Sequence, residues 1–153
     1  MIKKIYKRFD LAEEQLEAAI VLFCSGGDKF SVITLAGAAD VIFSQLVTRE
    51  SKDNFTQILM KKENDQRSLR DVGKEINNIL GINAIKHLDP GDDEYMTIDV
   101  DECALAAILK ALANYNMLEG KNENLILGFR AWAQINLDLT KYNIPGTSDT
   151  KEE

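Results

Sequence analysis

The chain has 153 residues, 45% hydrophobic and 28% charged, with only two prolines. That is enough for one domain with a sizeable core, and the composition is ordinary for a folded helical protein. The formal net charge of -7 is local, because residues 89 to 102 carry seven acids and no base while the other 18 acids and 18 bases balance. The balance argues against a broad nucleic-acid-binding face but leaves room for a small basic groove.

The chain opens Met-Ile-Lys-Lys-Ile-Tyr-Lys-Arg, which has the charge of an export signal without the apolar run that must follow one. Asp10, Glu13 and Glu14 come at once, so no signal peptide is expected. Ala12, Leu16, Ala19, Ile20 and Phe23 then recur at helical spacing, with Glu13, Glu14 and Glu17 between them. Gly26-Gly27 should close this first helix, since glycine takes the left-handed conformation of a last turn. Asp28 or Ser31 can cap a second helix running to about Val47. Its apolar residues go nearly all the way round, which marks it as the most buried element, and Ala36-Gly37-Ala38-Ala39 gives it a thin waist for close approach. The apolar run Phe30–Val47 contains Asp40 and is barely long enough to span a bilayer, so a core helix is the better reading.

Residues 49 to 66 read as a charged connector with one or two helical turns around Phe55, Ile58 and Leu59. A third helix carries Leu69, Val72, Ile76 and Ile79 or Leu80 on one seam. Extended past Gly81, that seam reaches Asn83 and His87 near the helix end. Asp89-Pro90-Gly91 stops it, because proline disfavours helix in the residue before it. After the acidic stretch, Asp99-Val-Asp-Glu102 is a capping-box pattern for a fourth helix to about Leu118, closed at Gly120. Asn122 can cap a fifth, with Leu125, Phe129, Trp132 and Ala133 on one face. No strand alternation is convincing. The expectation is an all-α chain, a four- or five-helix bundle. One domain is expected over residues 1–142, with a flexible polar tail over 143–153.

Several chemistries fall away on residue grounds. Ser25-Gly26-Gly27-Asp28-Lys29 lacks the spacing of a phosphate loop and follows no strand. The acidic stretch fails as a calcium hand, since glycine's place is taken by Glu94 and the twelfth position is Val100. One histidine in the chain rules out a multi-histidine metal site within a subunit, and no metal or cofactor is expected. No G-x-S-x-G elbow is present. Cys24 and Cys103 stand apart without C-x-x-C spacing, which suggests reduced, packed thiols and a cytoplasmic location.

Asn83-Ala84-Ile85-Lys86-His87 remains. An imidazole titrates near neutrality and can move protons, an amide can orient it, and an ammonium can hold a phosphate. The trio suits phosphate-ester chemistry, such as attack by a ribose 2'-hydroxyl on the adjoining phosphate. An equally physical reading is structural: an imidazolium at a helix C-terminus beside acids is stabilised by the dipole and the carboxylates.

Leu16 to Val47, with its Gly-Gly-Asp turn and Leu35-Ala36-Gly37-Ala38-Ala39-Asp40, resembles the first two helices of small bacterial HEPN-domain proteins. Asn83-Ala84-Ile85-Lys86-His87-Leu88 looks like the end of that family's signature, an arginine, a polar residue and then a histidine a few positions on. Asp99 to Tyr115 resembles the family's next helix. The resemblance implies an up-and-down four-helix bundle with a short extra or C-terminal helix, dimeric, in which two signatures meet to form a metal-independent RNA-cleaving cleft. Other members bind nucleotides or pair with a small nucleotidyltransferase in toxin-antitoxin systems. Carried over by position, Asn83 is the polar residue, His87 the histidine and Lys86 a basic residue often found before it. The arginine position falls on Ile82. Without a guanidinium fork the reacting phosphate loses a bidentate, permanently charged partner. The expected function is therefore a homodimeric, catalytically degenerate domain, off the membrane, that binds RNA, a nucleotide or a protein partner through Asn83, Lys86 and His87. The alternatives are a metal-independent endoribonuclease of toxin type using His87, or a purely structural interaction bundle.

Overall fold

The structure is a computed structural model and describes residues 2–142. Among the described residues it is all-helical: α1 Arg8–Cys24, α2 Lys29–Arg49, α3 Phe55–Lys62, α4 Leu69–Ile79, α5 Ile82–Lys86, α6 Val100–Asn116 and α7 Glu123–Asn136, then a 3-10 turn Leu139–Tyr142. The segment expected to be a flexible tail, residues 143–153, lies outside the described residues. The helices fall into two compact units that divide between Lys121 and Asn122, a boundary that no linker composition marks.

Local signals explain most helix limits. The Asp28 carboxylate accepts from the Ser31 amide at 2.8 Å and caps α2. The connector holds a stronger device than its charge suggests. Asn54 and Gln57 form a reciprocal capping box at the start of α3, at 3.1 and 2.9 Å. Ser68 caps α4, and Asp99 accepts from the Glu102 amide at 3.1 Å to start α6. The third helix of the sequence reading is two helices. Gly81 has φ +70°, a left-handed conformation that glycine takes without strain, and it ends the run at Leu80.

In the larger unit, α1, α2 and α6 pack on one another as a three-helix core, while α5 lies against α2 and α3 joins α4 to α6. The centre is Leu16, Ile33, Phe43, Ile108 and Tyr115, all fully buried. At one end the rings of Phe9, Phe43 and Tyr115 cluster, with centroids 5.0 to 6.0 Å apart. The Tyr115 hydroxyl donates to the Glu13 carboxylate, so this aromatic packing keeps its one polar atom satisfied. α2 has the length and composition of a membrane span, with mean hydropathy 1.7. Here it buries Val32, Ile33, Ala36, Ala39, Phe43 and Val47 against protein. In the smaller unit α7 is capped by Asn122, and its Phe129 and Trp132 rings stack at 6.1 Å.

Two charges are buried in that core. Asp40 of α2 and Lys110 of α6 are 4% and 8% exposed and form an ion pair. Asn114 donates to the second Asp40 oxygen at 2.7 Å and accepts from the Phe55 amide at 2.8 Å. Desolvating a carboxylate and an ammonium is costly, so each depends on the other. Lys110→Met should lower unfolding free energy by about 3–5 kcal/mol in urea denaturation, because it strands the Asp40 carboxylate. Adding Asp40→Leu should recover most of that loss. A single-variant cost below about 1 kcal/mol would show that the pair is not structural.

Candidate functional site

The site expected from the sequence lies on the turn from Gly81 through α5 to the acidic segment. α5 is short, and one side chain anchors it. Ile82, 4% exposed, lies over Gly37 at the waist of α2, with its Cγ2 3.0 Å from where a Cβ on Gly37 would stand. The small-residue stretch of α2 therefore admits a helix at close range, as its composition suggests. Ile98 closes over Gly81 from the far side of the acidic segment, 3.4 Å from the corresponding Cβ position.

With Ile82 pointing inward, Ala84 and Lys86 are exposed, while Asn83 and Ile85 are half-buried. Asn83 is half-buried and donates its amide to the Asn78 side-chain oxygen at 2.7 Å, across the break between α4 and α5. Lys86 is exposed in the last turn of α5, and His87 is its exposed C-cap, with extended backbone and its amide bonded to the Asn83 carbonyl at 2.9 Å. Spacings of three and four residues put Lys86 and His87 on the same side of the turn as Asn83. Neither Lys86 nor His87 forms a side-chain hydrogen bond or ion pair among the described residues. The continuous inward seam from Leu69 to His87 does not form, since Gly81 ends the first helix and restarts the second on a new axis. The imidazole and ammonium face solvent.

The acidic stretch follows as an exposed loop. Asp92 accepts from the Asp89 amide at 2.9 Å and Asp93 from the Tyr95 amide at 3.1 Å, so two of its carboxylates shape the turn. Among the described residues no group of three or more His, Cys, Asp or Glu is placed to hold a metal. Both thiols are free, and burial pushes each upward from its ordinary pKa; acids at Asp99 and Glu102 push Cys103 the same way. They are poor nucleophiles in that state.

Two features lay outside the sequence reading. The first is the Asp40, Lys110 and Asn114 network. Its signal was available: Lys110 stands alone among Ala and Leu, as Asp40 does in α2, and isolated charges in apolar helices need each other. The second is an open groove of about 340 Å³ between α3, α4 and α6, walled by Leu59, Ile76, Ile79, Leu80 and Leu109, with Lys110 at its base. Periodicity could not reveal it, because it arises where three helices fail to close.

Comparison with known proteins returns no match: no family model, no curated protein and no solved structure.

The packing at Gly37 makes a sharp claim about residue 82. Ile82→Arg would drive a guanidinium into the close contact with Gly37, and should cost on the order of 2–3 kcal/mol of stability. Thermal melts of the two proteins test this. An unchanged or raised melting temperature would mean that the site accepts an arginine after all.

Proposed function

We propose that this chain is a HEPN-like four-helix domain that pairs with itself, has lost catalytic competence, and binds a phosphate-bearing ligand, RNA or a nucleotide, through Lys86 and His87. In this reading α1, α2, α4 and α6 are the four helices, with α3 and α7 as additions. The observation that carries it is the contrast within α5. At the position of the signature arginine, Ile82 is buried against Gly37, while two residues of the same signature, Lys86 and His87, stay exposed and unspent by the fold.

The chemistry follows from that contrast. Metal-free phosphodiester cleavage builds negative charge on the phosphorane oxygens, and losing one partner to that charge commonly slows the reaction about a hundredfold or more. Lys86 supplies a point charge but no bidentate fork. His87 can still donate to a phosphate oxygen, and the half-buried Asn83 is tied to Asn78. What is left is a small anion-binding edge beside an acidic segment. Such an edge suits one or two phosphates better than a long nucleic-acid track. A nucleotidyltransferase partner is compatible with the same edge. The second reading, a toxin-type endoribonuclease using His87, is favoured by the exposure of the imidazole beside a cation.

Binding of a short single-stranded RNA and of ATP, followed by fluorescence anisotropy at low salt, tests the proposal together with RNA cleavage in chelator. Wild type should bind at least one of these and cleave nothing. Lys86→Glu and His87→Ala should each weaken binding about tenfold, roughly 1.4 kcal/mol. Cleavage that disappears in His87→Ala would establish the endoribonuclease instead, and absence of binding by wild type would remove the ligand reading.

A further inference from the structure

Residues 2–7 precede α1 without regular secondary structure, and Ile2, Ile5 and Tyr6 are 89%, 102% and 64% exposed. Their spacing is not that of a loop. Positions 2, 5, 6 and 9 share one helical face, and Lys3, Lys4, Lys7 and Arg8 occupy the other. The apolar face runs on into Phe9, Ala12 and Leu16 of α1. Yet α1 starts only at Arg8, with no side-chain cap at Lys7. The segment has the pattern of a further turn and a half of helix but, among the described residues, no surface on which it is buried. A helix that short does not hold in water without one.

Its own groove is out of reach. Phe9 packs on Tyr115 near the end of α6, so α1 and α6 run antiparallel and a helical extension of α1 passes beyond the last turn of α6 at Asn116. Ala106, Leu109 and Lys110, the α6 residues of the groove, lie in the opposite direction along α6, so such an extension moves away from them.

The groove between α3, α4 and α6 has the complementary chemistry. Its walls are apolar, and Ile79 and Leu109 remain 68% and 38% exposed there. The acidic segment borders it: Ile98 sits on Gly81, next to Leu80, and the Cys103 thiol lies 3.6 Å from the Ile79 carbonyl. That segment holds seven acids and no base, against four bases and no acid in residues 2–8. Lys110 at the groove base does not oppose a cationic guest, because Asp40 neutralises it.

We infer that residues 2–8 of one copy dock as a helix in the α3, α4, α6 groove of a second copy, with Ile2, Ile5 and Tyr6 against the groove wall and the lysines toward the acidic segment. A twofold axis makes the exchange reciprocal, so each dimer contains two such contacts. The inference rests on the self-association in the proposal above and assigns it a surface.

Light scattering on size-exclusion eluates at tens of micromolar tests it, using the full chain as wild type, Ile5→Asp and Leu109→Asp. Wild type should be a dimer, weakened at high salt, and each variant a monomer with native circular dichroism. Mixing the two variants should restore a dimer, because the intact segment of one meets the intact groove of the other; this mixed dimer should be at least tenfold weaker than wild type. If Leu109→Asp fails to fold, Ile79→Asp serves in its place. Variants that stay dimeric would overturn the docking while leaving self-association standing, and a mixture that stays monomeric would also overturn it. A monomeric wild type would remove both, whether residues 2–7 prove protected from amide exchange within one chain or bound to phosphatidylserine vesicles.

Discussion

The ion pair between Asp40 and Lys110, completed by Asn114, is the constraint on which the larger unit depends. Asp40 cannot sit in an apolar helix without a cation, and among the described residues only α6 supplies one at that depth. The requirement sets the register of α2 against α6 more tightly than their Ala and Leu contacts could, since those tolerate sliding. Asn114 carries the constraint outward. It binds the Asp40 oxygen that Lys110 leaves and then accepts from the Phe55 amide, so the start of α3 is tied to the same network. The groove between α3, α4 and α6 has its dimensions because this network holds α3 in place.

A second constraint, geometric rather than electrostatic, shapes the candidate site. Gly37 lets α5 approach α2 so closely that Ile82 must face inward, and Gly81 supplies the left-handed residue that the change of direction requires. Once Ile82 is spent as an anchor, Lys86 and His87 have no packing role. Exposed polar residues on a rigid, well-anchored turn are where binding is expected, because the scaffold has already met the cost of ordering them.

Charge is distributed to match. The core pair is neutral, the body is balanced, and the excess acid is confined to one exposed segment between α5 and α6. Placing it there sets the exposed Lys86 ammonium and His87 imidazole beside carboxylates, whose repulsion of a polyanion would accumulate with length.

Helical periodicity and capping chemistry were sufficient to read an all-α chain, α2 as a core helix, the stop at Gly26-Gly27, a cap for α2 at Asp28 or Ser31, the caps at Asp99 and Asn122, and the thin waist at Gly37. Each is a local property, decided within one or two turns. The most buried element, however, is α6 rather than α2. The connector was underread, because Asn54 and Gln57 act through a reciprocal bond that composition does not display. The seam from Leu69 to His87 was legible as apolar spacing. Whether Gly81 continued or broke it was not, since glycine permits both and the docking of Ile82 on Gly37 made the choice. Asn83, Lys86 and His87 could be named from their chemistry alone, but which of them faces solvent is a consequence of that docking. The pairing of Asp40 with Lys110, seventy residues apart, and the groove beside it exist only once α2, α3, α4 and α6 are assembled. A buried charge selects its partner by proximity in space, and a sequence records only proximity along the chain.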